Sequence, residues 1–151
     1  MRTVAYEDLP DVPWRNGGGT TREVHRDGEW RLSIATITGA GSFSTFPGVD
    51  RTFVVARGEL VLTVAGTAHP LGPGDVLRFA GEDVVLAAPH GGGTVPVTAV
   101  NVMTTRPHTA RVRVGVPAQA VAAVDLDTLQ SHFSVVPGDL VGRAVVVEGI
   151  S

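Results

Sequence analysis

The chain has 151 residues and a net charge of −3, with 43% apolar and 18% charged side chains. That length makes one domain with a core able to stand without staples, while the composition excludes global disorder and carries no electrostatic footprint for nucleic acid. Cysteine and lysine are absent, all 12 cationic side chains being arginine, which removes disulfides, thiolate ligands, cysteine nucleophiles, Schiff bases and a Walker A lysine.

Residues 1–8 hold no apolar run, and no window nears the roughly 18 apolar residues of a membrane span. Neither a signal peptide nor a membrane partner is expected, and a cytoplasmic location is the default. The first motif in chain order is Asn16-Gly17-Gly18-Gly19-Thr20-Thr21. Backbone amides of a glycine run can cradle an anion, yet no helix pattern follows and no lysine exists to meet a phosphate. The steric reading, a tight turn at a strand entrance, is preferred, with Asn16 and Thr20 brought near a ligand.

Residues 20–26 and 29–37 flank Asp27-Gly28, a short-turn dipeptide, and predict a hairpin. A two-residue turn sets Glu23 opposite Leu32. A three-residue loop with Gly28 left-handed sets Glu23 opposite Arg31, Thr21 opposite Ser33 and Val24 opposite Trp30. The second register gathers Thr21, Glu23, Arg31 and Ser33 on one face and Val24, Trp30, Leu32 and Ile34 on the other, and it is preferred because it segregates polarity.

Short runs rich in Val, Thr, Ile and Leu follow at 30–38, 52–56, 59–65, 75–79, 83–87, 95–104 and 110–116, punctuated by 19 Gly and 10 Pro. Strands this short with frequent turn signals predict an all-β sandwich or barrel. Within 59–65, Leu60, Leu62 and Val64 share one face. Pro73-Gly74-Asp75 predicts a turn in which Pro73 presets φ, Gly74 takes positive φ and Asp75 accepts from a neighbouring amide. Gly91-Gly92-Gly93 reads as a flexible loop. Only 118–130 has the makings of a few helical turns, and its Val and Asp content argues against them.

The strand at 58–66 followed by Leu71-Gly72-Pro73-Gly74-Asp75-Val76-Leu77 resembles the centre of a cupin. Four further stretches resemble the HutD/Ves family: Pro13-Trp14-Arg15-Asn16-Gly17-Gly18-Gly19-Thr20-Thr21-Arg22-Glu23, Trp30-Arg31-Leu32-Ser33-Ile34-Ala35, the segment 43–51, and Asn101-Val102-Met103. The resemblance implies an RmlC-like jelly-roll β-barrel of bicupin type, and a link to histidine utilisation or stress response. The single domain 1–151 then holds a cupin unit at 39–105. The remainder, 106–151, is shorter than the family's second half and is expected to form a reduced second lobe or an edge.

A cupin metal site needs two close histidines on one strand and a third after the Pro-Gly turn. The five histidines here are dispersed, the nearest two being His90 and His108, and 41–51 contains none. No metal and no cofactor are expected. No Gly-x-Ser-x-Gly elbow surrounds Ser33, Ser42 or Ser44. By composition alone Arg31 with Glu23 reads as a solvated cross-strand pair; the resemblance raises a carboxylate grip inside a barrel mouth to an equal reading. Asp50-Arg51 has the same ambiguity. Asn101, on an apolar strand with Met103, needs partners if buried. Trp14, Phe43 and Phe46 read as core.

The leading expectation is a metal-free binding module for a small carboxylated metabolite, with Asn16, Thr20, Thr21, Glu23, Arg31, Ser33, Asp50, Arg51 and Asn101 as its ligand-binding residues. The resemblance implies formylated glutamate, urocanate or a related acid of histidine breakdown. Two alternatives stand beside it. One is a metal-independent isomerase or hydrolase using a barrel carboxylate or histidine; the other is an interaction module with a packed barrel. No nucleic-acid partner is expected, and a homodimer is compatible with the sequence.

Overall fold

The structure is a computed structural model that describes residues 1–151. Fifteen strands form three sheets. The central sheet runs β2 (Asp11–Pro13), β3 (Gly19–Arg26), β4 (Trp30–Ile37), β11 (Val97–Thr105), β6 (Val49–Arg57) and β9 (Val76–Ala80), in that order. A four-stranded sheet, β5 (Gly41–Ser42), β10 (Val85–Pro89), β7 (Leu60–Val64) and β8 (Thr67–Leu71), covers one of its faces. A five-stranded sheet, β1 (Arg2–Val4), β14 (Ser131–Val135), β13 (Ala120–Asp125), β15 (Ala144–Ile150) and β12 (Ala110–Gly115), covers the other. No helix is long and apolar enough to cross a membrane.

Because the central sheet is covered twice, β4, β6 and β11 are buried along most of their length. Alternation then assigns each residue to one of two cores. Leu32, Ile34, Val54, Val100 and Val102 meet Val112, Ala122, Val124, Val145 and Val147 of the five-stranded sheet. Ile37, Phe53, Val55, Val97 and Ala99 meet Leu60, Leu62, Val85 and Ala87 of the four-stranded one. Leu60 and Leu62 are buried as their alternation predicts, while Glu59 is exposed. Residues from Ala110 onward, with β1, therefore lie across the back of the central sheet.

The β3–β4 hairpin differs in register from both predicted versions. Its loop is closed by the Asp27 carboxylate, which accepts from the backbone amides of Glu29 (2.7 Å) and Trp30 (3.0 Å). Gly28 is not among the glycines with positive φ. A bulge at Val24 then shifts the pairing, so that Glu23 faces Ser33 and His25 faces Leu32. Relative to the preferred reading this is a slip of two residues, which preserves faces where a slip of one would exchange them. The bulge turns both Val24 and His25 to the first core, where His25 stacks on Trp30 with ring centroids 4.5 Å apart.

The Pro73-Gly74-Asp75 turn forms as predicted, with Gly74 at φ +87° and Asp75 Oδ2 accepting from Gly72 N at 2.8 Å. The glycine run at 91–93 takes positive φ at all three residues, a left-handed backbone rather than a regular helix, and a Cβ on Gly93 would sit 2.0 Å from the Thr38 carbonyl oxygen. The helical turns considered for 118–130 are absent. β13 occupies the stretch, paired with β14 and β15, because Ala122 and Val124 are needed on one core while Ala123 packs in a separate cluster on the opposite face. Two sheet partners also satisfy the backbone groups there without a helix.

Candidate functional site

The cavity lies on the face of the central sheet that looks toward β5, β10, β7 and β8, at the end where the packed apolar core stops. Register builds its floor in three rows. Arg31, Met103 and Arg51 stand side by side across β4, β11 and β6; Glu23, Ser33, Asn101 and Phe53 form the next row; Thr21, Ala35, Ala99 and Val55 form the third. Moving down the rows the side chains change from charged to polar to apolar, so the floor grades into the second core. The walls come from the 13–16 and 42–46 segments, and together they enclose about 440 Å³.

The walls are fixed by short-range contacts. Trp14 Nε1 donates to Thr21 Oγ1 at 2.7 Å, and the Trp14 ring meets Phe43 edge-on at 5.8 Å. Asn16 Nδ2 donates to the Ser42 carbonyl (3.0 Å) while its Oδ1 accepts from Gly18 N (2.8 Å), clipping one wall to the other. The preferred reading of the glycine run as steric holds at Gly19, where a Cβ would lie 2.4 Å from the Thr36 carbonyl oxygen.

Arg51 is the unusual residue. It is 6% exposed, forms no salt bridge, and donates from Nη2 to Asn101 Oδ1 at 3.1 Å. Its buried Nε has no acceptor at all. Phe43, Phe46 and Phe79 surround the guanidinium at 5.3, 5.4 and 5.0 Å from their ring centroids. Burial, and then the neighbouring charge of Arg31, push its pKa down to about 10. Cation–π contact offsets part of the desolvation cost, but an unpaired buried cation with a free donor edge is what a site for an anion provides before its ligand arrives.

Arg31 is less buried. Its Nε lies 3.0 Å from Glu23 Oε1, an ion-pair approach without hydrogen-bond alignment, so that Nε also lacks an acceptor. The Arg31 guanidinium stands 5.7 Å from the Phe46 ring, which therefore sits between two cations. Desolvation and the charge of Arg26 lower the Arg31 pKa, with Glu23 opposing them.

Of the nine predicted ligand-binding residues, Asn16, Thr21, Arg31, Ser33, Arg51 and Asn101 line this one cavity. Glu23 stands at its rim against Arg31. Thr20 alternates away from Thr21 and is not part of the lining. Asp50 lies outside the lining as well: it alternates with Arg51 and is paired with Arg106 Nε at 2.9 Å. Trp14, Phe43 and Phe46 line the cavity, and of the three only Trp14 and Phe43 also pack against the second core, a placement missed because an aromatic in a β-protein is usually core. The relevant signal was their position inside the same motifs as the polar candidates.

No histidine, aspartate or glutamate is part of the lining, and nowhere in the chain do three such side chains converge in a group able to hold a metal ion. The donor set is one of N–H and O–H groups with three guanidinium ions, those of Arg31 and Arg51 on the floor and of Arg15 on a wall, a set that attracts anions and repels cations.

Comparison with known proteins agrees with this architecture. An uncharacterized 21.2 kDa protein in the hutC 3′ region of Pseudomonas putida is 45% identical over 94 residues, covering 56% of this chain and 50% of that one. Protein Ves of Citrobacter koseri is 41% identical over 95 residues, with coverage of 56% and 50%. These alignments span about half the length of the curated relatives. The structure of HutD from Pseudomonas fluorescens SBW25 superposes with a TM-score of 0.72 at 27% identity, covering 99% of this chain and 95% of that one. A cupin_2 domain of an XRE family transcriptional regulator from Enterobacter cloacae shares the fold alone, with a TM-score of 0.51 at 18% identity over 58% of this chain and 96% of that one. The fold is thus all-β and cupin-like. With the sequence model of the family matching residues 6–138, the chain belongs to the HutD family.

Proposed function

We propose that this chain is a cupin-like binding protein for a small carboxylated metabolite, with the ligand's carboxylate held in the plane of the Arg51 guanidinium. The observation that carries the reading is Arg51 in the cavity floor, 6% exposed and without a salt bridge, whose buried Nε has no acceptor. Three phenylalanine rings occupy its surroundings, so a carboxylate meets the free N–H edge, where bidentate pairing is geometrically matched. Asn101 and Ser33, adjacent in the next row, supply neutral polar groups, and Arg31 supplies a second cation. About 440 Å³ suits a ligand of metabolite size.

A place in histidine utilisation is supported by the family and by the relative in the hutC 3′ region. Formylated glutamate and urocanate are therefore the first acids to try. The test is thermal unfolding with formate, formylglutamate, urocanate and glutamate, each paired with its neutral amide. An acid at 100 times its dissociation constant adds about 2.7 kcal/mol, a rise of several degrees in a domain of this size. Amides that shift the transition as far as the acids would refute recognition of the carboxylate.

A further inference from the structure

The two cations of the cavity floor, Arg31 and Arg51, are not equivalent. Arg51 forms no salt bridge, whereas Arg31, one place across the sheet beyond Met103, has Glu23 Oε1 at 3.0 Å. Glu23 is not part of the cavity lining, and it is half exposed at the rim. Its Oε1 also accepts a hydrogen bond from Arg26 Nε at 2.5 Å. The register places Ser33 directly between Glu23 and Asn101, so the row behind the cations goes from carboxylate to hydroxyl to amide. On the floor the cation is thus without a salt bridge at the Arg51 end and already faces a carboxylate at the Arg31 end.

A ligand carboxylate at Arg51 meets an unpaired charge. A second carboxylate reaching Arg31 meets the Glu23 carboxylate beside it, and like charges at that range repel. Arg26 Nε, on an exposed side chain, shares the same Glu23 Oε1, which holds the carboxylate against Arg31. We propose that Glu23 is a specificity-determining residue, an internal competitor for Arg31 that disfavours a ligand carboxylate at the Arg31 end of the floor and favours an uncharged polar group there. This rests on the carboxylate-binding reading of the same cavity.

The experiment compares butyrate, a monocarboxylate, with glutarate, a dicarboxylate of similar length, by titration calorimetry on the wild-type chain, Glu23→Gln and Arg51→Met. Glu23→Gln removes the charge and keeps the shape. A half-exposed pair is worth up to about 1 kcal/mol, so glutarate affinity rises about fivefold relative to butyrate. The gain shrinks as salt is raised. If Glu23 merely orients Arg31, both affinities fall in Glu23→Gln, and the proposal is overturned. An unchanged glutarate-to-butyrate ratio overturns it equally. Failure of the binding reading has a different signature: neither acid binds, or both bind Arg51→Met as well as wild type.

Discussion

Replacing Arg51 by methionine separates stability from binding. Burial and Arg31 hold the Arg51 guanidinium at about 10, against 12.5 for an ordinary arginine. At 1.4 kcal/mol per tenfold, the charged form costs the fold roughly 3 kcal/mol. Methionine fills similar space without charge, which relieves that cost. Against the gain stand the lost hydrogen bond to Asn101, worth about 1 kcal/mol, and the lost contact with three phenylalanine rings, worth about 1 kcal/mol more. Without a ligand, Arg51→Met is therefore expected to lie between unchanged and about 1 kcal/mol more stable than wild type, measured by urea unfolding. A depressed cation gives stability that rises only as pH passes from about 10 toward 12.5, where the unfolded chain binds the extra proton. The difference between the two chains is accordingly flat through neutral pH. With an acid at saturation the order reverses, because wild type gains about 2.7 kcal/mol at 100 times the dissociation constant and the variant gains none. A loss above about 3 kcal/mol in the ligand-free variant is what breaking a paired buried charge costs. That result would refute the reading of Arg51 as unpaired.

Other expectations concern the walls and their anchors. Gly81→Ala places a Cβ 2.1 Å from the Phe46 carbonyl oxygen and 2.8 Å from that of Val49. Neither backbone atom can yield cheaply, so the variant loses about 1–3 kcal/mol and, with Phe46 displaced, its acid-induced rise in unfolding temperature; an unaltered rise would show that Phe46 is not part of the site. Asn16→Ala removes the wall-to-wall hydrogen bond to Ser42 and the local one from Gly18, costing about 1–2 kcal/mol in urea unfolding and weakening acid affinity in calorimetry. Arg106, hydrogen-bonded to Glu82, holds that carboxyl down to about 2, with the Gly48 amide assisting. This depressed carboxylate contributes stability present above its ordinary value of 4.5 and lost as pH falls toward 2. The Gly48 amide resonance should follow the titration with a midpoint near 2 and lose it in Glu82→Gln, whereas a midpoint near 4.5 would show that the Arg106 clamp is open in solution.

Strand periodicity and turn chemistry are local properties, and they were legible in the chain. The all-β class, the alternation of Leu60 and Leu62, and the Pro73-Gly74-Asp75 turn all follow from steric rules that act over two to four residues. So does the shared face of Thr21, Glu23, Arg31 and Ser33, which survived a wrong turn because the pairing slipped by two residues. The strand at 120–125 was obscured by helix-tolerant alanines. Those alanines are small because the five-stranded sheet packs on both faces there, a demand no local window contains.

What the sequence by itself determined is the supply of groups and their alternation: two arginines, an asparagine and a serine on strands, with every residue's neighbour sent to the opposite side. Alternation places Asp50 and Arg51 on opposite faces but is silent on which face is the cavity. Only the tertiary structure decided that, by stacking one sheet over each side of the centre and sending Arg51 toward three phenylalanines from two distant segments. The missing partner of Arg51 is likewise a tertiary fact. Whether a charge is paired depends on what lies within a few ångströms in space, and residues far apart in the chain decide it.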